Sequence, residues 1–272
     1  MSSNGNDRIK CVEKEDVKVL ILCGGLGSRA YPYTEHLPKP MLPINGQPIV
    51  MHVMRIYARQ GYRKFVLSLG YRKEIIIDYF DGKRLDWDVE LIDTGDDTDT
   101  AGRIEKARHL LGATFMATYA DGLAHVDLDE LLRFHQSHEG VATITSVPLV
   151  SQYGTLETGP GGRVKAFREK PTLSEYWINA GFFVFNDAVF EHWEGSNLER
   201  EVFPALTRKG LIYAHQCSGF FKSMDTYKDQ QDLEQLCQAG NLAFQGDRAQ
   251  AFPSLDLVRD VEKTCASKVL SE

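Results

Sequence analysis

The first chemistry that the sequence suggests comes from a glycine loop followed by two cations. The apolar run that ends at Leu22 leads into Gly24, Gly25, Gly27 and Ser28, and then into Arg29 and Lys39. Backbone N–H groups of such a loop can wrap a triphosphate. The cations can offset the charge that develops when a phosphorus atom is attacked. These residues therefore predict phosphate chemistry at the end of a strand.

The same stretch also satisfies the dinucleotide-binding pattern, with Ala30 in its last position. That pattern requires a helix directly after the loop and an acidic residue about 20 positions later. Gln47 stands at the acidic position. Prolines exclude a regular helix here, namely Pro32, Pro38, Pro40 and Pro43. No Gly-Lys-Ser/Thr follows, as a Walker A loop would need. A dinucleotide oxidoreductase is therefore the weaker alternative, and thermal stabilisation by NAD would reveal it.

Further polar residues follow or interrupt apolar strands. Asp121 comes at the end of an apolar run, where open α/β sheets bind ligands, and Gly122 allows a ligand to approach closely. Asn179 and Gly181 interrupt another apolar run, which strand interiors rarely accept without a bulge or a ligand. The ordinary alternative for a lone Asp is a helix cap or a turn residue. These positions are candidates for one site built from several strand ends.

Strands and helices alternate through the first half of the chain, and this alternation must position those residues. The patterns predict strands at 17–22, 64–69, 89–92 and 114–119, with helices at 48–62, 73–80 and 102–111. Beyond a helix at 128–138 they predict strands at 141–148, 154–157, 163–167, 178–185 and 211–215, and helices at 198–209 and 227–238. We therefore expect an α/β fold: a Rossmann-like, mostly parallel mixed sheet with helices on both faces and a smaller β-rich lobe.

Composition narrows the class of protein. The formal net charge is −7, and no basic run is long enough to neutralise a nucleic-acid backbone, so we expect no nucleic-acid partner. No apolar stretch approaches the roughly 18 residues of a membrane span, so we expect no membrane partner. The five cysteines are scattered singly, which fits the reduced cytoplasm. The eight histidines form no metal motif. We expect a flexible tail at 1–16, one domain at 17–239 and a partly helical C-terminal extension at 240–272.

The order of the motifs gives a family resemblance. The Leu22–Gly27 loop, Arg29 and Pro38-Lys39-Pro40 resemble the signature of the sugar-1-phosphate nucleotidyltransferases. The segments LIDTGDDTDTAGRI, TYADGL, REKP, INAGFFVFN and SMDTYKD then follow in the order and approximate spacing of the glucose-1-phosphate cytidylyltransferase subgroup. The resemblance implies nucleotidyl transfer from a nucleoside triphosphate, CTP in the subgroup, to a sugar 1-phosphate, glucose 1-phosphate in the subgroup. The products are an NDP-sugar and pyrophosphate.

The resemblance also implies roles for individual residues. It makes Arg29, Lys39 and Asp121 catalytic and places Mg²⁺ between Asp121 and Asp225. It assigns nucleotide binding to Leu22, Gly24, Gly25, Gly27, Ser28, Thr100, Gly102 and Arg103. It assigns sugar-phosphate binding to Tyr119, Glu169, Lys170, Asn179 and Gly181, in a sugar-binding β-rich lobe. Relatives of this fold commonly form homo-oligomers. The ordinary alternatives are a surface pair for Glu169 and Lys170 and a helix cap for Thr100.

Several departures from the subgroup keep the substrates open. Ala101 and Ala120 replace glycines, Phe221-Lys222-Ser223 replaces Trp-Gln-Pro, and the short turn 81–88 replaces a longer segment. One alternative is the same chemistry with another nucleotide or a non-glucose acceptor, and Lys222 would then favour a more anionic acceptor. The other alternative is a non-catalytic NDP-sugar-binding regulatory protein, against which the presence of the charged residues speaks.

Overall fold

A central sheet of seven strands organises the computed structural model, which describes residues 12–27 and 33–239 and, for Tyr33, the backbone only. The strands of this part are β1 (Lys18–Leu22), β2 (Pro43–Ile44), β3 (Gln47–Pro48), β4 (Lys64–Leu69), β5 (Asp88–Asp93), β6 (Thr114–Tyr119), β7 (Gly122–Ala124), β8 (Ala142–Val150), β9 (Thr155–Thr158), β10 (Val164–Arg168), β11 (Thr172–Asn186), β12 (Ile212–Gln216) and β13 (Phe221–Ser223).

Helices connect many of these strands. They are α1 (Ile49–Ala58), α2 (Lys73–Phe80), α3 (Thr100–Ala107), α4 (Leu128–Gln136), α5 (Phe203–Arg208) and α6 (Tyr227–Gln238). A π-helical turn, Leu198–Val202, precedes α5. Short 3-10 turns occupy Lys14–Asp16, Tyr33–Glu35, Lys39–Met41, Arg108–Leu110, Pro160–Gly162 and Asp187–His192.

The order of the seven-stranded sheet is β12-β8-β11-β6-β1-β4-β5. Neighbouring strands run parallel except on both sides of β11, which is antiparallel to β6 and to β8. Strand β1 is buried on both faces: Val19 and Ile21 belong to one hydrophobic cluster, and Leu20 and Leu22 to another. The predicted mixed, mostly parallel sheet between two layers is therefore confirmed.

Most predicted elements agree with the structure, and the differences have local causes. Helix α3 begins at Thr100, two residues earlier than predicted, because the side chain of Asp99 accepts a hydrogen bond from the Thr100 N–H and caps the helix. The alternative that Thr100 is the cap is therefore wrong. The predicted helix 198–209 divides into the π-helical turn and α5, where Pro204 in the first turn has no N–H to donate to the preceding turn.

Three strand pairings in the structure were not predicted from the sequence. Strand β11 begins at Thr172 instead of residue 178, and its outer part pairs with the end of β8. The short ladders β2–β3 and β7–β13 were missed because two or three residues carry no readable period. Residues 1–11 and the predicted extension 240–272 lie outside the described residues. Among the helices of the described part, none has the length and apolarity needed to cross a bilayer.

Candidate active site

A cavity of about 690 Å³ opens at the carboxyl ends of β1 and β6, which are parallel neighbours. Strand β1 pairs with β4, the next strand of this sheet along the chain, on one side and with β6 on the other side. Ligands of open α/β sheets bind in the crevice at such a switch point. The walls are the glycine loop, Lys39, the end of β6, the middle of β11, β13 with Asp225, the start of α3 and the segment before α5.

The glycine loop after β1 approaches Lys39 closely. Leu22, Gly25 and Gly27 line the cavity. Gly27 has φ +61°, and a Cβ there would lie 2.9 Å from the Cβ of Lys39, so glycine is needed for both conformation and space. The predicted residues Ser28 and Arg29 lie outside the described residues, so their roles stay predictions.

Arg103 fastens this loop to the neighbouring strands. Its side chain is buried, and Nη1 donates to the carbonyl of Leu69 at 2.9 Å and to Oγ1 of Thr94 at 2.6 Å. Nη2 donates to the carbonyl of Gly24 at 2.9 Å and to that of Asp96 at 3.3 Å. A Cβ on Gly24 would fall 1.9 Å from Nη1. The guanidinium predicted to help bind the base is thus engaged with the protein, and it shapes the loop.

Two carboxylates converge on one ammonium group in the cavity. Lys39 Nζ lies 2.6 Å from Oδ2 of Asp121 and 3.0 Å from Oδ1 of Asp225. The β7–β13 ladder brings the aspartates together, and Met224 N donates to the carbonyl of Asp121 at 2.9 Å. Ser223 Oγ donates to Oδ2 of Asp225 at 2.8 Å. Burial alone would lower the pKa of Lys39, but the carboxylates raise it above its ordinary value, so the ammonium stays charged.

The same two carboxylates fit a divalent cation. Hard carboxylate oxygens suit Mg²⁺, which usually takes one or two of them and completes its shell with water and substrate phosphates. Within the described ranges, no group of three His, Cys, Asp or Glu residues is placed to hold a metal on its own. The donor set of Asp121 and Asp225 therefore matches Mg²⁺ shared with a phosphate ligand.

The middle of β11 contains a bulge, which is one of the two explanations that the sequence left open. The register with β8 shifts between Asn179 and Phe183, and Asn179 Oδ1 accepts a hydrogen bond from Gly181 N at 2.8 Å. Gly181 has φ +77°, and a Cβ there would lie 2.5 Å from the ring of Tyr119. Tyr119, Asn179 and Gly181 all line the cavity, so the structure brings these predicted residues into the same cavity as the two carboxylates.

Other predicted residues lie elsewhere. Glu169 and Lys170 are exposed, follow β10 and are not part of the cavity wall, so their roles stay predictions. Lys222 lies 3.3 Å from Asp229 and 3.0 Å from Asp232. The expectation that Lys222 favours a more anionic acceptor therefore stays a prediction, in which the acceptor would have to compete with these two carboxylates.

Sequence reasoning missed one wall of the cavity. Asn197, Glu199 and Arg200 line it beside Thr100, which was predicted. The carbonyl of Ser196 accepts the N–H groups of residues 101 and 102, so Gly102 holds this wall and does not line the cavity. The sequence signal here was an Asn before a helical stretch, which indicates a helix start and says nothing about a distant cavity.

The cavity combines a glycine loop with a lysine that bridges two carboxylates, at a switch point of the sheet. This combination is typical of α/β enzymes that bind nucleoside triphosphates. Comparison with known families agrees: the model described as "Nucleotidyl transferase" matches residues 18–212. The chain belongs to this family, and the resemblance drawn from the motifs is confirmed. It is therefore a nucleotidyltransferase.

Relatives of known name were also found. "Probable glucose-1-phosphate cytidylyltransferase" of Bacillus subtilis (strain 168) is 37% identical over 249 residues, covering 82% of this chain and 97% of that protein. "Glucose-1-phosphate cytidylyltransferase" of Salmonella typhi is 33% identical over 250 residues, with the same coverage of 82% and 97%. "Mannose-1-phosphate guanylyltransferase catalytic subunit beta" of Danio rerio is 31% identical, but only 62% of it is covered, against 78% of this chain.

Solved structures share the fold. The crystal structure of HddC from Yersinia pseudotuberculosis superimposes with a TM-score of 0.65 at 24% identity, covering 80% of this chain and 98% of that one. A UDP-glucose pyrophosphorylase complexed with UDP-glucose gives a TM-score of 0.63 at 18% identity, covering 82% and 99%. At these identities the likeness establishes the Rossmann-like architecture alone.

Proposed function

We propose that this chain transfers a cytidylyl group from CTP to glucose 1-phosphate, giving CDP-glucose and pyrophosphate. The observation that carries the proposal is the extent of the match: two relatives named for this reaction are covered over 97% of their length. The guanylyltransferase relative extends well beyond the matched part, since only 62% of it is covered.

In this reaction, a phosphate oxygen of the sugar phosphate attacks the α-phosphorus of CTP. A new P–O bond forms, the bond to the β-phosphate breaks, and pyrophosphate leaves with that electron pair. Both reactants are anions, so positioning them in line and offsetting charge is most of the catalytic work. The glycine loop, with Ser28 and Arg29, would bind the triphosphate through backbone N–H groups and charge. Lys39 would stabilise the developing negative charge from beside the carboxylates.

Asp121 and Asp225 would hold Mg²⁺, which supplies positive charge to the phosphate oxygens. On the acceptor side, Asn179 Oδ1 is engaged by Gly181 N, which leaves Nδ2 to donate to a sugar hydroxyl. Tyr119 would pack beneath the sugar. Glu169 and Lys170 remain proposed acceptor contacts that require the segment after β10 to approach the cavity.

On the nucleotide side, Thr100 lines the cavity next to the loop that Arg103 shapes. We therefore place the base at the start of α3, where Gly102 and Arg103 act by holding the wall and the loop. A homo-oligomer in the cytoplasm is also expected, and light scattering on the purified chain tests its mass.

The test is pyrophosphate release with Mg²⁺, each of five nucleoside triphosphates and a panel of sugar 1-phosphates. CTP with glucose 1-phosphate should give the highest kcat/KM. Asp121→Asn should abolish most turnover, whereas the matched change Asp187→Asn, at a surface pair with Arg108, should not. Full turnover by Asp121→Asn would refute the site assignment, and a preference for another pair would refute the substrates only.

A second candidate is the same chemistry with GTP and a non-glucose acceptor. The guanylyltransferase relative favours it, and one structural neighbour is HddC complexed with GMP-PN. The same substrate panel separates it from the first candidate. A non-catalytic NDP-sugar-binding protein would instead bind the product sugars, seen by thermal shift, without releasing pyrophosphate from any pair.

A further inference from the structure

Three cationic side chains line the described part of the cavity, and two of them are already occupied. Lys39 is shared between two carboxylates, and Arg103 donates to carbonyl and hydroxyl oxygens of the protein. The third is Arg200, whose guanidinium makes no hydrogen bond or ion pair with any residue that the structure describes. Arg200 is therefore the described cation of this wall that is available to an anionic ligand.

The segment that carries Arg200 is firmly held. The carbonyl of Ser196 accepts from Ala101 N at 2.9 Å, and Leu198 N donates to Oγ1 of Thr100 at 2.9 Å. Asn197 caps its own turn by accepting from the Arg200 N–H at 2.8 Å. These bonds fix the backbone at Arg200 on the start of α3, so its side chain does not have to be ordered from a loose loop when a ligand binds.

Two carboxylates lie near Arg200, but neither forms a salt bridge with it. Asp99 accepts from Thr100 N at 2.7 Å and from Asn197 Nδ2 at 2.9 Å, so its oxygens are used within the wall. Burial raises the pKa of Glu199 above its ordinary value, and one of its carboxylate oxygens accepts a hydrogen bond from Thr100 Oγ1 at 3.4 Å. Neither carboxylate of the described wall therefore occupies the Arg200 guanidinium, which can still donate to an anionic group in the cavity.

We propose that Arg200 is a substrate-binding residue that holds a phosphate group of one of the two substrates through its guanidinium. A planar guanidinium matches phosphate oxygens with two parallel hydrogen bonds, and both substrates of a nucleotidyltransferase carry phosphate. The inference deepens the proposed function and rests on it for the identity of the substrates. It does not depend on which nucleotide or sugar is used.

The test compares Arg200→Gln and Arg200→Lys with Arg208→Gln, a surface arginine paired with Glu194 at 3.3 Å. Loss of a charge-assisted phosphate contact should raise one KM about tenfold or more in Arg200→Gln, with kcat changed much less. The rise identifies the source: the KM for CTP if Arg200 holds the triphosphate, the KM for glucose 1-phosphate if it holds the acceptor. Arg200→Lys should recover part of the loss, and Arg208→Gln should match the wild type.

A binding measurement tests the role of Arg200 independently of whether the proposed reaction occurs. Thermal stabilisation by CTP, by pyrophosphate and by glucose 1-phosphate is measured on the same proteins without turnover. Wild-type stabilisation that is weakened in Arg200→Gln supports the proposal even if no substrate pair reacts. The proposal is overturned if Arg200→Gln, folded with an unchanged melting temperature, keeps both KM values and all three ligand-induced shifts. Absence of any stabilisation of the wild type would overturn it as well.

Discussion

Adding one methyl group to the glycine loop tests how Arg103 holds the site. In Gly24→Ala the new Cβ would fall 1.9 Å from Nη1 of Arg103 and 2.2 Å from its Cζ, so the side chain or the loop must move. If Arg103 moves, the carbonyl of Leu69 and the hydroxyl of Thr94 lose a charged donor. Each such bond contributes roughly 1.5–3 kcal/mol. We expect Gly24→Ala to lower the free energy of unfolding by at least about 3 kcal/mol.

The adjacent glycine provides the matched control. A Cβ on Gly25 meets no atom within 4 Å, so Gly25→Ala should change the free energy of unfolding by less than about 1 kcal/mol. Urea unfolding followed by tryptophan fluorescence measures both variants. Because the displaced loop also lines the cavity, the KM for the nucleotide should rise in Gly24→Ala at permissive temperature.

A double-mutant cycle isolates the cause. Arg103→Ala leaves space for the methyl group, so Gly24→Ala should cost about 1–3 kcal/mol less in that background than in the wild type. Equal costs in both backgrounds would show that the collision with Arg103 is not the reason for the loss. A cost for Gly24→Ala no greater than that for Gly25→Ala would refute the reasoning entirely.

Three further changes test other parts of the structure. Lys39→Met should reduce kcat by about a hundredfold or more, because it removes the positive charge beside the reacting phosphates. Lys39→Arg keeps the charge and should reduce kcat less. An unchanged kcat in Lys39→Met would contradict this role. Burial lowers the pKa of His52 from 6.5 to about 4 in the folded chain. As the pH falls, the unfolded chain therefore protonates this imidazole at a higher pH than the folded chain does. The free energy of unfolding should decrease as the pH falls from 6.5 toward 4. Urea titrations of His52→Gln in that window should show a pH slope smaller by about 1.4 kcal/mol per unit, and identical slopes would exclude His52 as the cause. Gly181→Ala should lower the free energy of unfolding by at least about 1 kcal/mol, because residue 181 has a positive φ and its new Cβ would meet the Tyr119 ring. It should also raise the KM for the acceptor more than the KM for the nucleotide. A larger rise in the KM for the nucleotide would place the acceptor elsewhere.

Much of the sheet could be predicted because buried parallel strands have a strong sequence signature. The run at β4 is apolar and bounded by turn residues, and its predicted range agrees with the structure at both ends. An irregularity in β11 could also be predicted, because Asn179 and Gly181 interrupt a strand in a way that ordinary pairing rarely accepts without a bulge or a ligand.

The parts that could not be predicted depend on long-range contacts. The ladder between β7 and β13 pairs residues about a hundred positions apart, and three-residue strands have no period to detect. Arg103 donates mainly to backbone carbonyls, which are present whatever the sequence is. The sequence therefore showed no sign of its structural role, and the motif around it resembled a base-binding segment. The same holds for Arg200, whose segment is tied to the start of α3 by hydrogen bonds from the N–H groups of residues 101 and 102 to the Ser196 carbonyl.

The bridge between Lys39 and Asp225 joins positions that are 186 residues apart in the chain. During synthesis the glycine loop and the first strands emerge long before Asp225, because the chain is made from its N-terminal end. A nascent chain that stops before β13 has one of the two converging carboxylates and lacks the other. The two-carboxylate site that we propose is therefore complete only once β13 and Asp225 have joined the sheet-end residues that precede them by about a hundred positions or more.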